Sequence, residues 1–496
     1  MDNLEKESIS QLNIKKNINL LLKRYQNNQN DRINYPENPE KWIKSEVDLE
    51  EQIRFFSDLS TIPSLYIQFL TLNGFKILSD ILSHQNIDIV IVCINVLSEI
   101  LDPEIIYTLE TSNEFINHLE SLSIDKLVVN SLITIQEEDE VDYNGVKSCF
   151  ELLENLMELS SKILSDLATN EKFLSYLLTR MKKRKTMAYD TNRVYSSELL
   201  CVLLQGSDEC VVKLGSKEPI DGIDQLLRII AIYRKRNPDS LEEEELVENS
   251  FQALCKLMFN NENQIRFGKI QGIQLMIRLI RERRQTYKLA LKLLDFALLD
   301  STYNCQLFVQ LYGLKSLFSI LMRKGVLTKE GTEQEKQEDE NVIGIINSLC
   351  INCTGEELLR VINKFVENKH EKLERIVELH KKYTQKSNLY INKMNKKNEI
   401  PELDAEEQNY LEKYEAGLSI CQLIDCLIVR IYNMNQELSI CLLLLLKNKG
   451  INIQDIYNHI TDYLEHMSEE GKELKNQVEE LMINFLKGAK NSEMFN

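Results

Sequence analysis

Hydrophobic positions recur along this chain at helical spacing, in short segments that begin with glycine. Each glycine is followed by an apolar residue, by a second apolar residue three positions later, and by an apolar pair near the seventh and eighth positions. Apolar residues three and four positions apart share one face of a helix, so each segment is predicted to be a helix that packs into a core. Four such segments begin at Gly74, Gly222, Gly272 and Gly313.

The spacing of these segments predicts a repeat array. Gly272 and Gly313 lie about 40 residues apart, which is the length of an armadillo or HEAT repeat. The match extends upstream of each glycine, because Phe267 and Phe308 occupy corresponding positions. We therefore expect an all-α fold, a right-handed α-solenoid of armadillo/HEAT-like repeats. A third helix is expected to complete each repeat, as at 149–159, 250–259 and 286–299.

Three regions are predicted along the chain. Residues 1–70 are expected to form an N-terminal helical cap, since a solenoid needs a polar-faced end. Residues 71–365 form the array, and residues 366–496 a C-terminal helical module with an apolar segment at 416–446. The Asn- and Lys-rich stretch 386–401 is expected to be a link. The apolar faces of the module are expected to pack either on the array or on a second copy of the chain. The second arrangement would give a homodimer.

Composition and charge limit the classes of partner that such an array can bind. The 496 residues include 59 Lys and Arg against 77 Asp and Glu, a formal net charge of −18. This charge argues against direct nucleic-acid binding, which needs a cationic face, and favours partners with cationic segments. The 16 glycines and 7 prolines are too few for the turns of a β-sandwich. No apolar stretch approaches the roughly 20 residues of a membrane span, so no membrane partner is expected.

Motifs for catalysis are not found in the sequence. The histidines do not fall into metal-ligand spacing, and no phosphate-binding glycine loop or nucleophile elbow occurs. The 11 cysteines lie mostly within apolar helical runs and are expected to be buried free thiols. Cys350 and Cys353 form a C-x-x-C without a second pair at zinc spacing. We therefore expect no enzyme activity, no cofactor and no metal.

The third helices of an armadillo-type array line its concave surface, so their outward positions are candidates for partner binding. Carboxylates there can hold Lys or Arg of an extended peptide, and an Asn can bind its backbone amides. For each position the alternative is a solvated helix face. The candidates are Glu151, Asn155, Glu198, Gln252, Lys256, Leu291 and Asp295.

A basic cluster follows one of the predicted helices. Lys182, Lys183, Arg184 and Lys185 have the density of a nuclear-localisation signal. The alternative interpretation is a helix C-terminus, where cations meet the negative end of the helix dipole.

Longer, non-repetitive segments of the chain resemble the β-catenin-like protein 1 family, whose members are nuclear armadillo-type proteins associated with the spliceosome. These segments run in order through most of the chain, and they are more specific than the repeat glycines. They include Tyr35-Pro36-Glu37-Asn38-Pro39-Glu40-Lys41, Tyr189-Asp190-x-Asn192 with Ser197-Glu198-Leu199, Gly272-x-Gln274-Leu275-Met276, and Lys364-Phe365-x-Glu367-Asn368.

The resemblance implies a non-enzymatic scaffold of the NineTeen complex, the ubiquitin-ligase assembly that joins the activated spliceosome. It implies binding to nuclear-localisation-like segments of splicing factors, including a Myb-related subunit, and a nuclear location. Two alternatives from other classes are an importin-like transport adaptor and a β-catenin-like signalling scaffold. The first usually presents repeated Trp and Asn pairs on its third helices, whereas the single tryptophan here, Trp42, precedes the array. The second has a basic groove, against which the net acidity argues.

Overall fold

The structure is a computed structural model that describes residues 13–182, 190–325, 328–395, 410, 412–467 and 472–491. Over these ranges the regular secondary structure is helical and no strand occurs, which confirms the predicted all-α class. No helix in the described ranges combines the length and apolarity needed to cross a bilayer.

The chain divides into two compact units. The first contains the residues up to Ile229 together with Pro238–Lys256, and the second contains Ile230–Asn237 and the residues from Leu257 onward. The first 15 helices, carried mainly by the first unit, are α1 (Ile14–Asn34), α2 (Ile43–Arg54), α3 (Tyr66–Thr71), α4 (Gly74–Ile81), α5 (Ile87–Ile100), α6 (Pro103–Ile106), α7 (Ser112–Leu122), α8 (Ile124–Thr134), α9 (Glu140–Leu159), α10 (Ser161–Ala168), α11 (Glu171–Lys182), α12 (Thr191–Gly206), α13 (Asp208–Gly215), α14 (Gly222–Ala231) and α15 (Leu241–Leu257).

The second unit carries the remaining helices. They are α16 (Asn261–Lys269), α17 (Gly272–Glu282), α18 (Tyr287–Leu298), α19 (Thr302–Gln310), α20 (Gly313–Leu321), α21 (Glu333–Asn352), α22 (Gly355–Val366), α23 (Glu371–Asn395), α24 (Ser419–Tyr432), α25 (Gln436–Lys449), α26 (Ile453–Glu465) and α27 (Lys472–Asn491).

The repeat glycines begin helices α4, α14, α17 and α20, as predicted. The chain turns sharply just before them, with a positive φ of 71° at Gln271 and 61° at Tyr312. At three of the four glycines the turn brings the new helix against a phenylalanine ring of the helix before it, so that a Cβ on Gly272 would lie 2.6 Å from the ring of Phe267. At the fourth, Gly222, the close neighbour is Leu214. The absence of a side chain therefore permits the close packing of successive helices within a repeat.

The third helices of neighbouring repeats pack side by side within each unit. In the first unit α5, α9 and α12 form such a row, and α15 joins it through a 3.1 Å hydrogen bond that Asn249 donates to the hydroxyl of Ser197. In the second unit α18 packs on α21, and α21 packs on α24. The predicted third helices correspond to α9, α15 and α18, and their apolar faces form the core.

The stacking continues beyond residue 366. Helices α22, α23 and α24 pack on α19, α20 and α21 respectively, in the same order in which α19–α21 pack on α16–α18. The apolar C-terminal helices thus meet the preceding repeat within the second unit, one of the two predicted arrangements. The division at residues 70 and 365 remains a prediction, and this stacking indicates that the repeat pattern includes α22–α24.

The predicted link at 386–401 is wrong for its first ten residues, which are the last part of α23. Residues 396–401 lie outside the described ranges. Tyr383 and Ser387 are buried on one face of α23, and the Tyr383 hydroxyl donates a 2.8 Å hydrogen bond to Asp339 of α21. This packing keeps a polar sequence helical, because tertiary contacts and the helix propensity of its lysines outweigh the weak helix propensity of its asparagines.

Candidate functional site

Acidic side chains form a continuous surface on three neighbouring third helices of the first unit. We call this the acidic third-helix surface: Glu151 and Glu154 on α9, Glu198 on α12, and Glu245 on α15. Glu154 and Glu245 are exposed, whereas Glu151 and Glu198 are half-buried. The hydroxyl of Tyr195 donates a hydrogen bond to Glu154, which ties α12 to α9 within this surface.

The carboxylates of this surface repel one another. The pKa of Glu198 is raised to about 7, first by burial and then by the hydrogen bond and charge of Glu245 and the charge of Glu154. Lys147 lies 3.2 Å from Glu151, but among the described residues no cation forms an ion pair with Glu154, Glu198 or Glu245. An incoming Lys or Arg would relieve the repulsion and gain charge-assisted hydrogen bonds.

The polar candidates beside this surface have different roles. Asn155 donates a 3.2 Å hydrogen bond to the carbonyl of Ser98 on α5, so its amide group links two third helices. Gln252 is exposed on α15 and is free of such a constraint on its position. Lys256, one turn further along α15, lies 3.8 Å from Asp208, so it ends the acidic surface with a positive charge.

Leu291 is not an outward position, and this prediction was wrong. Its side chain is completely buried, because α18 packs on α17 on one side and on α21 on the other. A third helix enclosed in this way has apolar residues around most of its circumference. The repeat pattern identified the face of α18 that meets its own repeat, but it could not identify the face that meets the next one.

Asp295 faces a cavity of about 260 Å³ inside the second unit. The cavity is lined by Gly344 and Asn347 of α21 and by Arg430 of α24, and Asn347 donates a 2.9 Å hydrogen bond to the carbonyl of Leu423. Burial and the charge of Glu340 raise the pKa of Asp295 well above its ordinary value. Helix α24 thus covers this part of the third-helix face, and Asp295 lies in a cavity instead of an open groove.

The basic cluster begins at the end of α11, next to a buried ion network. Lys182 donates a 2.6 Å hydrogen bond to Gln225, and burial together with the charge of Arg228 lowers the pKa of its ammonium group. Its side chain thus has a partner within the fold. Lys183, Arg184 and Lys185 lie outside the described residues.

The network beside it centres on Arg180, which bridges two buried acids. Arg180 donates hydrogen bonds of 2.7 and 2.9 Å to Glu137 and of 2.5 and 3.2 Å to Asp190. Its bidentate geometry fixes the end of α11 against the segment that precedes α9 and the residue that precedes α12. The network is structural support for the acidic third-helix surface, since it positions two of the three helices.

The structure also brings together four potential metal ligands that the sequence did not reveal. His380 of α23, Cys421 and Asp425 of α24, and His459 of α26 place their donor atoms within 4.8 Å of one another. Motif spacing could not detect them because they come from three helices. The one local signal is the spacing of Cys421 and Asp425, which are four residues apart and therefore share a helix face.

The cysteines conform to the expectation from the sequence. All 11 are free thiols, and nine of them are buried. Burial raises the pKa of Cys350 and Cys353 to about 12 in each case, so the thiols of the C-x-x-C pair are protonated at neutral pH and poorly nucleophilic.

The chain is similar over most of its length to one family of known proteins. Residues 1–461 match the family model described as "Catenin-beta-like, Arm-motif containing nuclear". Beta-catenin-like protein 1 of Homo sapiens is 33% identical over 472 residues, which cover 93% of this chain and 83% of the human protein. The Schizosaccharomyces pombe homolog is 31% identical over 380 residues, covering 76% and 65% of the two chains. A solved structure of SYS-1 covers 97% of this chain and 86% of its own, with 11% identity and a TM-score of 0.47.

Proposed function

The chain belongs to the catenin-beta-like family of Arm-motif-containing nuclear proteins, and from this premise we propose that it is a nuclear, non-enzymatic scaffold that binds basic peptide segments of splicing factors. The β-catenin-like protein 1 resemblance of its motifs supports a place in the NineTeen complex, with a Myb-related subunit among the partners. In this role the chain provides a surface that binds cationic peptides, and it catalyses no reaction.

The acidic third-helix surface is the observation that carries this proposal. Glu154, Glu198 and Glu245 lie on consecutive third helices, and the pKa of Glu198 is raised to about 7 because its carboxyl is partly buried and its neighbours are also acidic. An extended peptide that crosses these helices would place its Lys and Arg side chains next to successive carboxylates. Each contact would replace a repulsion between carboxylates with a charge-assisted hydrogen bond.

Binding of a lysine- and arginine-rich peptide, followed by fluorescence anisotropy, tests this mechanism. The triple variant Glu154→Gln, Glu198→Gln and Glu245→Gln is expected to bind about tenfold more weakly or worse, since three charge-assisted contacts become neutral. The matched control changes Glu40, Glu110 and Glu218 to Gln, three exposed acids of the first unit. The control has the same net charge, so a loss confined to the first variant assigns binding to the surface and not to the overall field.

The partners themselves are tested by affinity purification of the tagged chain from nuclear extract at moderate salt. NineTeen-complex subunits and a Myb-related splicing factor are expected in the eluate, and their recovery should decline as salt rises because screening weakens exposed charge pairs. Recovery of importins with diverse cargo would instead indicate a transport adaptor. Recovery of membrane-junction proteins would indicate a signalling scaffold, and either result would contradict the proposed role in splicing.

A further inference from the structure

A compact set of polar side chains lies inside the C-terminal part of the second unit, away from the acidic third-helix surface. It consists of His380, Cys421, Asp425 and His459, which we call the His/Cys/Asp cluster. His380, Cys421 and Asp425 are buried, with Asp425 completely so, and His459 is half-buried. Three helices, α23, α24 and α26, therefore converge on a single point through these side chains.

The donor atoms of the cluster are close to one another. His459 Nδ1 lies 2.8 Å from one carboxylate oxygen of Asp425 and 3.5 Å from the sulfur of Cys421. His380 Nε2 lies 2.9 Å from the other carboxylate oxygen. The Cys421 sulfur is 3.8 Å from the Asp425 carboxylate. One ligand atom from each of the four residues is thus available around a common centre.

Hydrogen bonding within the protein leaves part of this cluster unsatisfied. Both ring nitrogens of His380 and one carboxylate oxygen of Asp425 are buried without a hydrogen bond of acceptable geometry, although Nε2 and that oxygen are only 2.9 Å apart. Buried polar atoms without partners are costly, and an ion at the site is one of the few ways to satisfy them.

From this geometry we propose that the His/Cys/Asp cluster is a structural zinc site. Zinc binds Cys sulfur, His nitrogen and Asp oxygen at about 2.0–2.3 Å in a tetrahedron, whose ligand atoms are then about 3.3–3.8 Å apart. The observed separations run from 2.8 Å to no more than 4.8 Å, so shifts of about 1 Å would give the required coordination. The soft sulfur and the imidazoles favour zinc over the hard cations magnesium and calcium.

Charge balance is consistent with zinc at this depth. Binding displaces the thiol proton of Cys421 to solvent, and the resulting thiolate and the Asp425 carboxylate together neutralise the two positive charges of the ion. The hydroxyl of Thr384 lies 3.2 Å from the Cys421 sulfur and can donate to the thiolate from the second shell. Four protein ligands leave no open position for a substrate, so the site fastens α23, α24 and α26 together and does not catalyse a reaction.

The zinc content of the full chain tests this inference. The protein is expressed in zinc-supplemented medium and purified without chelators, with any affinity tag removed, and its metals are quantified by inductively coupled plasma mass spectrometry. About one zinc per chain is expected. The variant Cys421→Ser should lose most of the zinc, whereas Cys426→Ser, which changes another buried thiol of α24 outside the cluster, should retain it.

Cobalt substitution keeps the test informative if Cys421→Ser fails to fold. Unsubstituted protein stripped with chelator and reloaded with Co²⁺ should show the thiolate-to-cobalt charge-transfer band and the visible bands of tetrahedral cobalt. One equivalent of Zn²⁺ should abolish these bands and raise the thermal midpoint of the stripped protein. Absence of zinc from the purified chain together with no cobalt bands would overturn the proposal, and so would equal loss of zinc in both variants. The side chains would then form a metal-free hydrogen-bonded cluster.

Discussion

The ring of Phe308 lies 2.3 Å from the position that a Cβ on Gly313 would occupy. The same relationship joins Phe267 to Gly272, at 2.6 Å. In both pairs the aromatic residue precedes the glycine by five positions and belongs to the preceding helix. The glycine is therefore required by the packing of its own repeat, and this explains why the pattern was recognisable in the sequence.

Replacement of Gly313 with alanine tests this relationship. Alanine normally stabilises a helix relative to glycine, but here the new methyl group would overlap the Phe308 ring, and overpacking typically costs about 1–3 kcal/mol. Gly313→Ala is therefore expected to lower the urea midpoint of unfolding, whereas Lys315→Ala, at an exposed position of the same helix, should leave it unchanged. A more stable Gly313→Ala variant would show that the ring moves aside without cost.

The buried ion network around Arg180 gives a second prediction. Arg180→Met leaves Glu137 and Asp190, with side chains only 4% and 8% exposed, without their shared cation. Breaking a buried ion pair in this way costs about 3–5 kcal/mol. Chemical denaturation at neutral pH should show a loss of this size.

Arg228→Met is the matched control for this measurement. Arg228 pairs with Asp224 at 2.6 Å, but its side chain is 73% exposed, so water replaces the lost contact and no measurable change is expected. Equal effects of the two substitutions would mean that burial of the Arg180 network does not determine its contribution to stability.

The sequence predicted those features that depend on a single repeat. The helix starts at Gly272 and Gly313 and the all-α class follow from local spacing, and the structure confirms them. Features that depend on adjacent helices could not be predicted. The burial of Leu291 arises from packing on α21, and the raised pKa of Glu198 arises in part from Glu245 on the next third helix. Single-sequence periodicity contains no information about which side chains meet across such an interface.

Asp295 gives a third prediction, based on its enclosure beneath α24. The raised pKa of this carboxyl means that the folded chain holds its proton at pH values where the unfolded chain has lost it. Stability contributed by this group therefore falls as the pH rises above the ordinary aspartate value of 3.8. Asp295→Asn, which cannot ionise, is expected to be more stable than the unsubstituted chain at pH 8 and similar to it at pH 4.

Asp300→Asn is the control for Asp295→Asn in urea denaturation at the two pH values. Asp300 lines the same cavity but is exposed, so its substitution should leave the pH dependence of unfolding unchanged. If the free energy of unfolding of Asp295→Asn depends on pH in the same way as that of the unsubstituted chain, water or a neighbouring group stabilises the ionised Asp295 carboxylate in the unsubstituted chain.

Glu198 gives the last prediction, which links the charge of the acidic third-helix surface to its binding. Its pKa is raised from an ordinary value of 4.5 to about 7. The stability that this group contributes is therefore lost as the pH rises from the first of these values to the second. A cationic peptide favours the ionised form and should therefore release a proton on binding. Its affinity is expected to increase between pH 6 and pH 8, because less of the free chain is protonated at Glu198 at the higher pH.

Isothermal titration calorimetry in two buffers of different ionisation enthalpy measures this proton release directly. At pH 6 the unsubstituted chain should release a fraction of a proton per bound peptide, and Glu198→Gln should release less and show a flatter affinity profile. Glu114→Gln, which changes an exposed acid of α7, should behave like the unsubstituted chain. Proton release that persists undiminished in Glu198→Gln would place the titrating carboxyl, and with it the peptide, away from Glu198.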